Sequence, residues 1–146
     1  MRIEAHIPIS AVVSTAVYFV SKSEEIALIS FLSGIFIDID HIFDYFYCER
    51  KIKFDIKDFF YKCNYHQIKK YIFFLHSFEL LLILAVLVYF FPSKILIGIF
   101  IGFTVHIFTD AFYKPKHFFR YSLIYRAKHN FINFDLAFPC LDKDKT

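Results

Sequence analysis

The chain reads as an all-α integral membrane bundle, with four transmembrane helices and amphipathic surface helices on the cytoplasmic side. Three observations predict this. Hydrophobic residues make up 58% of the 146 and the mean hydropathy is +0.48, beyond the roughly 45–50% apolar share of a soluble domain. Four apolar runs, residues 5–20, 26–47, 71–91 and 95–113, each approach the ~20 residues that cross a bilayer. Lysine and arginine fall almost entirely on one side of those runs. The length is that of one domain, taken as 1–146. Long runs with only 3 Gly and 4 Pro suit helices better than barrel strands. So little of each run is polar that a soluble helical bundle fits poorly.

The first run, 5–20, follows Arg2 and has the look of a signal peptide. It lacks a small-x-small cleavage site, and His6 and Pro8 are foreign to such a segment, so it is expected to be retained as a helix. A short connection, 21–25, leads to the second run. The loop 48–70 carries Arg50, Lys51, Lys53, Lys57, Lys62, Lys69 and Lys70. Within it, Ile52, Ile56, Phe59, Phe60 and Cys63 recur at helical spacing, which predicts an amphipathic surface helix over 50–66. The third and fourth runs are joined at 92–94. The tail, with bases and aromatics interleaved over 116–134, reads in the same way. With four spans, fifteen of the 17 basic residues share the side of both termini, against Lys22 and Lys94 on the other. That asymmetry places the termini in the cytoplasm of a multi-pass inner-membrane protein. It also accounts for the basic–aromatic segments without nucleic acid as a partner; membrane lipids are the partner expected. Cys48, Cys63 and Cys140 form neither a CxxC pair nor a disulfide framework and suit reduced thiols on a cytoplasmic face.

The stretch SGIFIDIDHIFDYFY, residues 33–47, carries Asp38, Asp40, His41 and Asp44 inside an apolar run. A lone carboxylate there costs several kcal/mol. The other acids and imidazoles in or at the ends of the runs are His6, His76, Glu79, His106 and Asp110, with no Lys or Arg among them. All are ligand types for a divalent cation, and a cation inverts the cost of gathering acids. Their spacing agrees. At ~100° per residue, His106 and Asp110 lie about 40° apart on a helix, His76 and Glu79 about 60°, and Asp40, His41 and Asp44 share an arc of about 100°. Most fall within ~10–14 Å of the cytoplasmic end of their run. Bundle metal sites are built from such i, i+3 and i, i+4 pairs. His66, His117 and His129 lie in basic surface segments and read as solvated. Gly98 and Gly102 form a GxxxG packing pair.

On GIFIDIDHIFDY, LHSFELL and GFTVHIFTD, together with the early histidine, the chain resembles the LexA-regulated inner-membrane family of metal-dependent hydrolases, distantly akin to zinc-dependent phospholipase C and P1-type nucleases. By matching position, the resemblance implies His6, Asp38, Asp40, His41, His76, His106 and Asp110 as metal residues, and phosphoester chemistry. Ile37 stands where the family often has Pro, and Tyr71, Ile72 and Phe73 where a His-Arg-Gly often precedes the His-Ser pair. These departures mark a divergent branch.

The mixed N/O donor set suits zinc or manganese, as one ion or two. The expected chemistry is hydrolysis of a phosphoester or lipid-linked ester at the cytoplasmic membrane surface, with Asp44 or Glu79 as general base. A divalent-metal or proton transporter is the rival reading. It needs a route to both faces, yet the outer halves of the runs hold no ionisable residue. A metal staple in a non-catalytic bundle is the third, although structural zinc sites are usually Cys-rich and this set is carboxylate-rich.

Overall fold

A computed structural model describes residues 3–49, 56–64, 72–113 and 115–131, and over these the chain is all-helical. Helix α1 spans Ile3–Ser21 and α2 spans Glu24–Phe36. Lys22 takes a positive φ of 52° to turn the chain between them. Ser23 caps α2, its Oγ accepting the Ile26 N–H, and Glu24 and Glu25 complement the positive end of the helix dipole. The second apolar run then bends instead of continuing straight. At Ile37–Asp38 the Asp38 N–H reaches back only three residues, to the Ile35 carbonyl, and α3 resumes over Ile39–Glu49.

Helix α4, Ile56–Asn64, lies on α3. Tyr45 and Phe59 meet edge-to-face at 5.6 Å, and the Tyr45 hydroxyl donates to Asp58 Oδ2 at 2.6 Å. This helix falls inside the expected surface segment 50–66; residues 50–55 and 65–66 of that segment lie outside the described residues.

The third run departs most from expectation. Helix is confined to α5, Phe78–Phe90, and residues 72–77 before it are irregular. Phe73 holds a positive φ of 42°. The segment's N–H groups are satisfied by carboxylates of α3. Ile72 and Phe73 donate to Asp44 Oδ2 at 2.8 and 3.2 Å, while Leu75 and His76 donate to Asp40 Oδ2. A buried backbone needs such partners, and here they compete successfully with helix hydrogen bonds. Ser77 then caps α5 through the Leu80 N–H. Helix α6 spans Lys94–Tyr113, a 3-10 segment Pro115–Tyr121 follows, and α7 closes over Leu123–Lys128.

Helices α2 and α6 form the most extensive pair, and α1 packs on α2 and also touches α6. Their seam is made of small residues. A Cβ at Gly102 would overlap Ser33 Oγ and stand 2.5 Å from the Ser30 carbonyl oxygen, and one at Gly98 would stand 2.8 Å from the Ile29 side chain. Small residues permit this close approach of two helices. Below the seam, Ile37, Leu81, Ile107, Ala111 and Tyr121 make the apolar core. Outside it, Val12, Leu82, Phe90 and Phe112 are all more than 60% exposed, an apolar exterior unusual for a chain surrounded by water. Two stretches, Glu24–Tyr47 and Lys94–Tyr113, are long and apolar enough to cross a membrane, by length and composition alone. The apolar parts of α1 and α5 are shorter.

Candidate metal centre

The bend at Ile37–Asp38 turns Asp38 towards α6, and the irregular 72–77 segment delivers His76 to the same place. There His76 Nε2 and His106 Nε2 face each other at 3.1 Å, and each lies 3.4 Å from Asp38 Oδ1. The seam positions His106. One turn above it Gly102 lets α6 approach α2, so His106 Nδ1 reaches the Gly34 carbonyl oxygen at 2.7 Å.

That contact settles the histidine's proton. A carbonyl oxygen only accepts, so Nδ1 of His106 carries the hydrogen and Nε2 of the neutral ring is a bare lone pair. Asp40 does the same for His76, with Oδ2 3.3 Å from its Nδ1. Asp38 Oδ1 is buried and has no hydrogen-bond partner. With both rings neutral in these tautomers, three acceptor atoms face one another in a triangle of 3.1, 3.4 and 3.4 Å. Without a proton or a cation between them they repel. Metal–nitrogen bonds of ~2.0–2.1 Å in tetrahedral array give ligand–ligand separations of about 3.3 Å, so the triangle has the dimensions of one face of such a shell. The residues fit a divalent cation.

A second group adjoins the first. His6 stacks on His106, ring centroids 3.9 Å apart, and its Nε2 lies 3.2 Å from Asp110 Oδ1, with Asp110 Oδ2 3.8 Å from His106 Nε2. His6, His106 and Asp110 are buried and close enough to hold an ion, as are Asp38, His76 and His106. His106 belongs to both groups, yet it has one free lone pair, so both cannot be filled through it at once. His41 sits at the edge, its Nε2 3.5 Å from Asp38 Oδ1 and its side chain 18% exposed against 1–4% for His6, His76 and His106.

The residues expected at a site therefore separate by position. His6, Asp38, His41, His76, His106 and Asp110 converge. Asp40 stands behind His76 as its orienting carboxylate. Asp44 is committed to the backbone of Ile72 and Phe73. Glu79, expected with Asp44 as a candidate base, faces away from the cluster. It accepts from the Ser122 hydroxyl at 2.6 Å and from the N–H groups of Leu123 and Ile124, the start of α7. His129 is exposed against Tyr125; His66 lies outside the described residues.

Arg126 falls in the basic tail, where charge pattern alone predicts a surface base, yet it is 3% exposed. Its Nη2 donates to the His76 carbonyl at 3.1 Å, while Nε and Nη1 are buried without a hydrogen-bond partner. Burial pulls the guanidinium down to about 10, against the upward pull of Asp44, Asp40 and Glu79, so it stays charged at neutral pH. It is the fixed positive charge behind the 72–77 segment, and nothing in the spacing of the tail distinguishes it from Arg120. Comparison with known protein families, characterised proteins and solved structures finds no match, so the centre is read from its own residues.

Proposed function

We propose that this chain is a metal-dependent hydrolase of the inner membrane, a divergent relative of the LexA-regulated family it resembles, acting on a phosphoester or lipid-linked ester at the cytoplasmic surface. The observation that carries the reading is Asp38 Oδ1, buried, without a hydrogen-bond partner, and facing the Nε2 atoms of two histidines at 3.4 Å. Three protein donors are the number that catalytic zinc sites use, keeping a further position for water or substrate. A staple would close that position. A carrier would need donors leading to both faces, and the stretches 26–36, 80–90 and 95–105 between the cluster and the far helix ends hold no acid, histidine or cysteine.

In this reading Asp38, His76 and His106 hold one zinc or manganese ion, and Asp40 and the Gly34 carbonyl keep both rings in the binding tautomer. A second ion would keep only His6 and Asp110 as its own ligands. When bound, a divalent ion lowers the pKa of water towards 7 and polarises a phosphoryl oxygen. The water's proton goes to a base. The water oxygen adds to phosphorus, the bond to the leaving oxygen breaks, and the leaving alkoxide takes up the proton that the base removed from the water. With Asp44 and Glu79 engaged by backbone N–H groups, His41 is the better-placed group: its Nε2 lies 3.5 Å from Asp38 Oδ1 and its Nδ1 is buried without a hydrogen-bond partner. His41→Gln should keep the metal while turnover falls ~10²–10⁴-fold, the usual share of base catalysis. Metal content and hydrolysis of a phospholipid and phosphodiester panel, with added zinc or manganese, are the measurements. Loss of the ion from His41→Gln would make it a ligand and end its assignment as base. No turnover across the panel, together with metal flux into sealed proteoliposomes, would overturn the hydrolase.

The membrane arrangement belongs to the same proposal: four spans with both termini inside. Cysteines placed at Ser23 and Ser93 should react with an impermeant maleimide in intact cells, with native Cys48, Cys63 and Cys140 silent until permeabilisation. The reverse pattern would refute the topology.

A further inference from the structure

Two apolar hollows border the cluster, and they differ in what lies at their inner ends. The one beside α3 and the 72–77 segment reaches Asp40 and Asp44, whose carboxylates are already taken by backbone N–H groups. The other, of about 290 Å³, runs between α1 and the α2–α3 bend. Its walls include Ile7, Phe36, Ile39 and Ile42, and among the described residues its polar lining is His6 and Asp38, one from each candidate metal group. Phe59 of α4 also lines it.

We infer that this groove holds the hydrocarbon chain of the substrate, so that the substrate is a membrane phosphoester that enters sideways from the bilayer. The inference rests on the hydrolase reading and adds the substrate's other half. The occupant follows from the two ends of the groove. An anionic head complements a cation held beside Asp38, whereas isoleucine and phenylalanine walls offer a soluble headgroup no hydrogen bond. The outer lip is apolar and open, with Ile7 51%, Phe36 62% and Ile39 42% exposed. A chain leaving lipid for this groove exchanges one hydrocarbon surrounding for another, so it gains little affinity. What the groove supplies is alignment, holding the ester over Asp38. Its effect should therefore fall on kcat more than on KM.

The test has two arms. In the first, Ile42→Trp, with Ile39→Trp as a second variant in case the more buried site disturbs folding, fills the groove. Each should lower kcat on a long-chain phospholipid at least 10-fold relative to a short-chain soluble analogue, with KM little changed, while Leu82→Trp on α5 leaves the ratio alone. The second arm needs no turnover. Phosphatidylglycerol vesicles containing a chain-diazirine analogue should label the residues around Ile7, Phe36 and Ile39 above those around Leu82 and Phe90, and Ile42→Trp should abolish the excess. Even labelling of all exposed apolar faces, or an unchanged long-to-short ratio, would overturn the groove. Enriched labelling without hydrolysis of any ester would leave the groove standing and remove the hydrolase reading.

Discussion

His106→Ala should purify without its ion. This residue supplies the lone pair shared by both metal-binding groups, so its loss leaves Asp38 with His76 in one and His6 with Asp110 in the other. The expected fall in zinc affinity exceeds the ~10–100-fold that loss of an orienting partner costs. Asp40→Asn gives that smaller loss, because the amide no longer holds Nδ1–H of His76 as a carboxylate does. Elemental analysis of detergent-purified protein and competition with a graded chelator measure both. Retention of stoichiometric zinc by His106→Ala would refute the assignment. Affinity should also fall on acidification, since the ligand form is the neutral ring and protons compete for Nε2.

Gly102→Ala should be the most destabilising single-methyl change in the molecule. Its Cβ meets backbone atoms of α2, the Ser30 carbonyl at 2.5 Å and the Gly34 nitrogen at 2.8 Å, together with Ser33 Oγ. Backbone cannot rotate away, so the helices must separate, at the ~1–3 kcal/mol or more of an overpacked core. Separation also draws His106 from the Gly34 carbonyl, so metal should be lost along with thermal stability in detergent. Gly98→Ala meets chiefly the Ile29 side chain, at 2.8 Å, one turn farther from the centre. It should lower the melting temperature and keep the metal. Equal metal retention by the two variants would break the link between seam and site.

Much of the centre was legible because a charged group in an apolar run has few reasons to be there. His106 and Asp110, four apart on α6, and the acids around His41 declared a face by spacing alone. What spacing could not show was division of labour. Asp40 and Asp44 share a helix face, yet both serve the 72–77 segment, which looks like helix in sequence because Ile72, Phe73, Phe74 and Leu75 are apolar. Its irregular path depends on carboxylates some thirty residues away. Glu79 satisfies a helix start more than forty residues on, and Arg126 is buried by the same docking of α7. Such pairings are tertiary, and no local period encodes them. The two long apolar stretches were equally legible, while the third run yielded a helix of only 13 residues because the segment ahead of it is held open.

The facing Nε2 atoms of His76 and His106, 3.1 Å apart with the unpartnered Asp38 Oδ1 beside them, bear on the protein's abundance as well as on its chemistry if they hold an ion. An ion that binds only the assembled helices adds RT ln(1 + [L]/Kd) to their stability, about 2.7 kcal/mol at a hundredfold excess over Kd. Metal supply and assembly then become one mass-action equilibrium. A starved cell would hold this protein with its helices parted more often, within reach of membrane quality-control proteases, and its level would follow the free-metal concentration without any change in its synthesis.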